Sequence, residues 1–158
     1  MMESEKFRVI ARAIVLTPDR RVVMVTSHDR DALVVPGGAV DAGETLQAAA
    51  VRETKEECQI DVSIGEVIWL REYTSRKRDQ RNLEVYFLAR PEPGIDLLDR
   101  WTLVDAADPR VQREAGLYTR EALQSMQLPV YPKELRDEFW DGLNRGFHRV
   151  YLGHFEGK

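Results

Sequence analysis

The most constraining feature of this 158-residue chain is a fourteen-residue run, Thr45 to Cys58, that contains neither glycine nor proline. Thr45 is a good N-cap because its hydroxyl can accept a hydrogen bond from an early backbone amide. The run therefore predicts a helix. The second half of this helix carries three glutamates within five residues: Glu53, Glu56 and Glu57.

Two of these glutamates share one side of the predicted helix. At about 100° per residue, with Leu46 at zero, Glu53 falls near 340°, Glu57 near 20° and Glu56 near 280°. If that side faces protein, the Glu53 and Glu57 carboxylates are partly desolvated and need a cation or hydrogen bonds. Arg52 can pair with Glu56 at i,i+4, but Glu53 and Glu57 form a like-charged i,i+4 pair that costs a few tenths of a kcal/mol. Periodicity alone leaves both a solvated charged face and a metal site open.

A metal at this position would be held by oxygen ligands, since no cluster of cysteine or histidine accompanies the glutamates. Such a donor set indicates a hard cation, Mg²⁺ or Mn²⁺, rather than zinc. These ions commonly complete their coordination with water and substrate phosphate, so a metal here would point to phosphate chemistry.

The stretch "GAVDAGETLQAAAVRETKEECQI", with "PGG" at its start, resembles the Nudix box, whose pattern is G-x5-E-x7-R-E-U-x-E-E-x-G-U with U a bulky aliphatic residue. Seven positions match at the required spacing: Gly38, Glu44, Arg52, Glu53, Glu56, Glu57 and Ile60. Thr54 stands where an aliphatic residue is usual, and its hydroxyl could bond to a carbonyl of the preceding turn. Gln59 replaces the last glycine, which predicts a different helix ending or local strain. Neither departure removes a carboxylate, so metal binding is expected to survive.

This resemblance implies a hydrolase that cleaves a pyrophosphate bond in a nucleoside diphosphate linked to another group, with Mg²⁺ or Mn²⁺ as cofactor. The implied fold is α+β, a Nudix-like α/β/α sandwich with a mixed β-sheet between helices. The expected partner is a small nucleotide-type diphosphate substrate. Dimers are common in the resembling family, which leaves a homodimer open.

Roles for individual residues follow from the same resemblance. It implies Glu53 and Glu57 as direct metal ligands, Glu56 as a third ligand or a holder of water, and the Gly38 carbonyl as an additional ligand. Glu44 and Arg52 are expected to pair with each other and hold the loop against the helix.

The catalytic base has candidates inside and outside the box, because family members take it from different places. Glu57 and Glu53 are the candidates inside. Glu84 is the candidate outside, on a predicted strand whose alternation places it beside Tyr86 and opposite the apolar face. An ordinary exposed strand glutamate is the alternative interpretation of Glu84.

Substrate contacts are less clearly marked in the sequence. The segment "SRKRDQR" places basic residues in a polar connection between two predicted strands, and arginine can bind phosphate through two parallel hydrogen bonds. The candidates are Arg76, Arg78 and Arg81. A solvated turn explains the same charges. Large aromatic residues of the strands could stack on a base, but core packing is the commoner role for such residues.

Charge and cysteine content exclude some classes of protein. The formal net charge of -4 and the pI near 5.5 argue against a stable nucleic-acid partner. The start of the chain, "MMESEKF", has no apolar segment, and no run reaches the length of a membrane span, so a cytoplasmic protein without a membrane partner is expected. The single cysteine, Cys58, fits a reducing compartment and is interpreted as a small helix residue.

The rest of the chain predicts one domain, residues 1–158, that combines strands and helices. Residues 7–16 and 21–27 are predicted as a hairpin, and residues 61–73, 82–90 and 100–104 as further strands. Residues 105–116 are predicted as loop with marginal helix. Two helical segments at 119–127 and 131–146 and a last strand at 147–153 complete the prediction.

Two other functions compete with the hydrolase of nucleotide substrates. The same chemistry could act on non-nucleotide diphosphates, such as inositol or isoprenoid compounds. A Nudix-like module could instead bind nucleotides for regulation without turnover, although a module freed from catalysis has no need for clustered carboxylates.

Overall fold

The computed structural model describes residues 6–104, 110 and 112–157. Its strands are β1 Lys6–Val15, β2 Val22–Thr26, β3 Leu33–Val34, β4 Gly37–Ala39, β5 Val62–Ser75, β6 Gln80–Pro91, β7 Arg100–Val104, β8 Gln112–Tyr118, β9 Val130–Tyr131 and β10 Tyr151–Gly157. Its α-helices are α1 Leu46–Cys58, α2 Arg120–Ser125 and α3 Glu138–Arg145. Two 3₁₀ turns, Arg76–Arg78 and Lys133–Arg136, connect neighbouring elements.

The strands form two five-stranded sheets. The first has the order β10-β5-β6-β1-β4, and the second has the order β7-β8-β2-β3-β9. In the first sheet β1 runs parallel to β6, from Lys6 opposite Gln80 to Val15 opposite Ala89. Strands β5 and β6 form an antiparallel hairpin, and β4 pairs antiparallel with β1 so that Gly38 lies opposite Ala11. The first sheet is therefore mixed.

Helices cover both faces of the first sheet. On one face, Ala49 and Ala50 of α1 pack against Ala11, Val85 and Phe87. The small alanines let the helix approach the sheet closely. On the other face, Trp69 and Tyr86 share a cluster with residues of α2, α3 and the preceding turn, namely Leu123, Leu135, Phe139 and Trp140. The predicted mixed sheet between helices is confirmed.

The predicted opening hairpin is wrong. β1 and β2 lie in different sheets and share only the isolated bridge between Leu16 and Val22. The reason is burial on both faces: Val22 to Val25 are all fully buried, as are Ala13 to Val15 at the end of β1. A strand buried on both faces takes a central position, and each of these two strands has partners on both sides in its own sheet.

Several predictions for the later chain need correction. Gln112 to Tyr118 form strand β8 rather than loop or helix, because they pair antiparallel with both β2 and β7. The rest of that prediction, residues 105–109 and 111, lies outside the described residues. The helix predicted at 131–146 divides into the turn Lys133–Arg136 and α3, the last strand begins only at Tyr151, and the short strand β9 was not predicted.

Within the described residues, no helix combines the length and apolar character needed to cross a membrane.

Candidate active site

Helix α1 has well-defined ends. The Thr45 hydroxyl accepts from the Ala48 amide at 3.1 Å, as predicted for an N-cap. At the other end Gln59 adopts φ 60° and ψ 29°, and its amide donates to the Lys55 carbonyl. Gln59 thus takes the left-handed conformation that glycine commonly adopts at a helix end. The predicted local strain is present, but the helix still ends in the ordinary way.

Thr54 also behaves as the sequence suggested. It is fully buried, and its hydroxyl donates to the Ala50 carbonyl at 2.7 Å. The neighbouring thiol of Cys58 is buried as well, and that burial raises its pKa. A protonated, inaccessible thiol supports the interpretation of Cys58 as a packing residue.

The glycines before α1 allow strand β4 to approach two other elements. A Cβ at Gly38 would lie 2.4 Å from the Glu53 carboxyl carbon, and a Cβ at Gly37 would lie 2.5 Å from the Ala11 carbonyl oxygen. Both distances are shorter than real Cβ contacts, so a side chain at either position would require its neighbour to shift. The Gly38 backbone therefore lies directly against the Glu53 carboxylate.

Arg52 connects the loop before α1 to the glutamates of the helix. Its guanidinium donates twice to Glu44, at 2.8 and 2.9 Å, as predicted. It also donates to Glu53 at 2.7 Å, to Glu56 at 3.3 Å and to the Ala39 carbonyl at 3.1 Å. Hydrogen bonds from Arg52, and a further one with the Asp41 backbone, lower the pKa of Glu44 to about 2.

Glu57 has a different environment from its neighbours on the helix. Its Oε2 accepts from the Gly37 amide at 3.2 Å, and its Oε1 lies 3.7 Å from Nη1 of Arg113 on β8. Its side chain is 22% exposed. Burial raises the pKa of Glu57, although Arg113, the Gly37 amide and Arg12 each act to lower it. Glu57 is thus a partly buried carboxylate whose charge is incompletely compensated.

Glu84 is buried rather than exposed on its strand. It accepts from Arg12 Nε and Nη2 at 3.1 and 3.0 Å and from the Tyr86 hydroxyl at 2.6 Å. Burial lowers the pKa of Arg12, but the charges of Glu84, Tyr86 and Glu57 and the Glu84 hydrogen bond outweigh it, and the net shift is upward. Arg12 is therefore paired with Glu84 on the sheet, and its charge also acts on Glu57 of the helix.

A family model described as the NUDIX domain matches residues 6–129. The chain belongs to the Nudix family. The expectation of a pyrophosphohydrolase is confirmed at the level of that family. No curated protein matches the sequence.

Solved structures with the same fold include several Nudix proteins. A Nudix hydrolase from Nitrosomonas europaea has a TM-score of 0.70 at 18% identity, covering 99% of this chain and 83% of that one. An ADP-ribose pyrophosphatase from Streptococcus suis has a TM-score of 0.55 at 20% identity, covering 94% and 98%. A UDP-X diphosphatase has a TM-score of 0.63 at 13% identity, covering 97% and 69%. At these identities the likeness concerns the fold.

The Nudix box carboxylates fit a hard divalent cation in the type of their donor atoms. All are oxygens on one helix, the Gly38 backbone lies against Glu53, and Glu57 is incompletely compensated. Across the described part of the chain, no three or more histidine, cysteine, aspartate or glutamate side chains converge as metal ligands would. Here Glu53 and Glu56 are instead bound by Arg52, and Glu57 by the Gly37 amide.

The basic residues predicted to bind substrate are not on the box helix but at the turn of the β5–β6 hairpin. Arg76 bonds to Glu156 of β10 at 2.6 Å, and Arg81 pairs with Glu72 of β5. Arg78 is exposed in the 3₁₀ turn. Arg76 and Arg81 therefore pair with glutamates of the first sheet.

The sequence interpretation missed two arginines that do reach the Nudix box. Arg12 is the single charged residue in the apolar run from Val9 to Leu16, and a lone charge in a buried strand is a usable signal of a paired or functional group. Arg113 carried no comparable signal, because its segment had been predicted as loop.

Proposed function

We propose that the chain is a divalent-metal-dependent hydrolase that cleaves a pyrophosphate bond in a nucleoside diphosphate linked to another group. The supporting observation is the placement of Glu53 and Glu57 of α1 against the Gly37–Gly38 backbone, with Glu56 on the same helix bound by Arg52. Mg²⁺, with Mn²⁺ as an alternative, would be held by these glutamates and by the Gly38 carbonyl. When bound, such an ion neutralises phosphate charge and polarises phosphorus toward attack.

The chain's own arginines support binding of a diphosphate at this place. Arg113 lies 3.7 Å from Glu57, the charge of Arg12 also acts on Glu57, and both arginines can donate to phosphate oxygens in a bidentate manner. In this proposal they orient the diphosphate over α1 and offset its negative charge. The role of Arg76, Arg78 and Arg81 in substrate binding stays a prediction, with weaker support from their position.

Glu57 is the better supported candidate for the base that accepts a proton from the attacking water. It is partly buried and lies 3.7 Å from Arg113, and among the described residues its carboxylate accepts one backbone hydrogen bond, from the Gly37 amide. Glu84 has both of its oxygens engaged by Arg12 and Tyr86, so it is better suited to hold Arg12 in position. Arg52 and Glu44 keep their supporting role, and Glu53 remains a ligand candidate.

The experiment is a Mg²⁺-dependent hydrolysis screen over nucleoside triphosphates, nucleotide sugars, ADP-ribose, dinucleotides and capped RNA, with added pyrophosphatase and alkaline phosphatase converting the products to inorganic phosphate for detection. Glu57→Gln is expected to lower kcat on any active substrate by about 100-fold or more. Glu66→Gln, at an exposed position of β5, is the matched control and is expected to keep full activity. Equal turnover with and without Glu57 would overturn the catalytic assignment, and tight nucleotide binding without any turnover would favour a regulatory module.

The cytoplasmic location, the single domain and a homodimer belong to the same proposal. The acidic pI and the buried lone cysteine are consistent with a cytoplasmic location. Size-exclusion chromatography with light scattering measures whether the protein is a homodimer.

A further inference from the structure

A second charged site lies in a cavity of about 130 Å³ beside strands β5 and β10, at the edge of the first sheet opposite β4. Arg71 of β5, Glu134 of the 3₁₀ turn, and Phe155 of β10 contribute to its walls. Tyr131, Lys133 and Arg149 also line the cavity. We call it the Glu134 cavity.

Glu134 has one oxygen satisfied and one without a partner. Its side chain is 3% exposed. Oε1 accepts from Arg71 and lies 3.7 Å from Nη2 of Arg149. Oε2 is the one buried side-chain polar atom in the described part of the chain that has no hydrogen-bond partner. A buried carboxylate oxygen left in this state favours a ligand that brings a hydrogen-bond donor.

The charges around Glu134 restrict the kind of donor. Arg71, Lys133 and Arg149 line the same cavity, so the surroundings are cationic apart from Glu134 itself. A cationic ligand would be repelled by them. An uncharged N–H donor is compatible, and a phosphate on the same ligand would be attracted.

Aromatic rings form one edge of the cavity. Tyr131 is 40% exposed and Phe155 42% exposed, with ring centroids 6.0 Å apart. Phe155 in turn stacks on Tyr73 at 5.8 Å, which holds its ring in place. Exposed aromatic faces beside a polar group suit a flat heterocycle, which stacks on a ring while its edge is bound.

The Glu134 cavity is connected to the box through paired side chains. Arg71 lies directly opposite Glu84 in the β5–β6 hairpin, and such cross-strand neighbours have Cβ atoms about 5 Å apart. Glu84 is bound by Arg12, and the charge of Arg12 acts in turn on Glu57. The charged side chains of Arg71, Glu84 and Arg12 thus form a continuous row that starts at the cavity.

We propose that the Glu134 cavity binds the base of the nucleotide substrate, with Glu134 Oε2 accepting a hydrogen bond from an exocyclic amino group. This inference rests on the proposed function and adds a base preference to it. Adenine, guanine and cytosine carry such an amino group. Uracil presents carbonyl oxygens on both sides of its one N–H, and these are repelled by a carboxylate. The enzyme thus prefers the three amino-bearing bases over uracil.

Binding of CMP and UMP in EDTA, measured by isothermal titration calorimetry, tests this without metal or turnover. The two ligands differ on the Watson–Crick edge of the base, where cytosine has an amino group and uracil a carbonyl. CMP is expected to bind the wild-type chain about 10- to 100-fold more tightly than UMP, the range for a hydrogen bond to a charged group. Glu134→Gln is expected to reduce this ratio to within about threefold. Equal binding of CMP and UMP by the wild type would overturn the proposal.

A second variant covers the case in which Glu134→Gln does not fold. Phe155→Leu, at an exposed ring, is expected to weaken both ligands about tenfold or more through lost stacking. Phe7→Leu is the matched control, since Phe7 is 60% exposed and lies in β1, away from the cavity lining. Unchanged CMP binding by Phe155→Leu would also overturn the proposal.

The two proposals fail in different ways. If no pyrophosphate substrate is hydrolysed but the preference for CMP remains and depends on Glu134, the hydrolase assignment fails and the Glu134 cavity stands. If hydrolysis depends on Glu57 while CMP and UMP bind equally, the cavity assignment alone fails.

Discussion

At the scale of single residues, Gln59 shows that a departure from a family pattern need not change the backbone. It holds φ 60° and ψ 29° at the end of α1, where the Nudix pattern has glycine. A residue with a side chain in this conformation costs about 1 kcal/mol relative to glycine. The sequence could predict this strain from the missing glycine, but it could not predict that the helix would keep the same ending.

Gln59→Gly is therefore expected to stabilise the protein by about 0.5–1 kcal/mol, partly offset by the greater freedom of glycine in the unfolded chain. Urea denaturation at neutral pH measures the change. Gln47→Gly, inside the first turn of α1, is the control and is expected to destabilise by up to about 1 kcal/mol. A loss of stability in Gln59→Gly would contradict the strain seen here.

The two adjacent glycines of β4 are expected to respond differently to alanine. In Gly38→Ala the new Cβ meets the end of the flexible Glu53 side chain, which can move. We expect a nearly unchanged Tm but about 10- to 100-fold lower kcat, because a carboxylate of the box is displaced.

Gly37→Ala is the matched comparison for this prediction. Its Cβ meets the Ala11 carbonyl oxygen at 2.5 Å and the Arg12 Cα at 2.8 Å, both in the backbone of β1. We expect a loss of about 1–3 kcal/mol in the free energy of unfolding. Equal effects of the two substitutions on Tm would show that Glu53 is less free to move than its contacts indicate.

Glu44 gives a pH prediction with a defined sign. Its pKa is lowered from an ordinary 4.5 to about 2, so the folded state keeps it ionised at a pH where the unfolded chain protonates it. The stabilising contribution of Glu44 to the free energy of unfolding is present above about pH 4.5 and is lost as the pH falls toward 2. Urea midpoints at pH 5, 4 and 3 should fall less steeply for Glu44→Gln than for the wild type. An equally steep fall in both proteins would show that the pair of Glu44 and Arg52 does not contribute to stability.

At the scale of elements, the sequence predicted α1 well because its signals are local. A capping threonine and a run free of glycine and proline determine where the helix begins and continues. Strand partners depend on distant residues, so the apolar runs of β1 and β2 were assigned to one hairpin although each pairs within a different sheet. Strand β8 was missed because its sequence is polar, and with it the contact of Arg113 with Glu57.

The parallel pairing of β1 and β6 includes the buried ion pair of Arg12 and Glu84. Removing one partner from such a pair is strongly destabilising, whereas replacing both by apolar residues is often neutral. Glu84→Leu is expected to destabilise by about 2 kcal/mol, below the full range for buried pairs because Arg12 keeps some contact with solvent.

The double variant Arg12→Leu with Glu84→Leu supplies the test of that coupling. It is expected to be more stable than Glu84→Leu alone, as measured by chemical denaturation in a double-mutant cycle. Additive losses in the cycle would mean that the two side chains do not act as a pair.

At the scale of the whole molecule, the family match ends before the last elements of the core. The match covers residues 6–129, yet Leu135, Phe139 and Trp140 are buried in the same cluster as Trp69. The expectation that residues 1–158 form one domain stays a prediction. The shared cluster supports it, because no boundary in the core coincides with the end of the match.

Truncation after residue 129 tests this expectation. It removes three large buried side chains whose individual loss costs about 2–5 kcal/mol, and domains are stable by only about 5–15 kcal/mol. The shortened chain is expected to lose cooperative unfolding in circular dichroism. Cooperative unfolding at the wild-type urea midpoint would show that residues 6–129 are an independent unit.

The aromatic cluster around Trp69 has an optical consequence. Its indole makes edge contacts with Tyr86, Phe139 and Phe147, with centroids 5.8–6.3 Å apart. The Tyr86 hydroxyl donates to Glu84, so a change at that carboxylate reaches the indole through a single ring. Trp69 is expected to act as an intrinsic fluorophore whose emission shifts when a ligand changes the contacts of the Glu84 carboxylate, giving a label-free signal for stopped-flow kinetics.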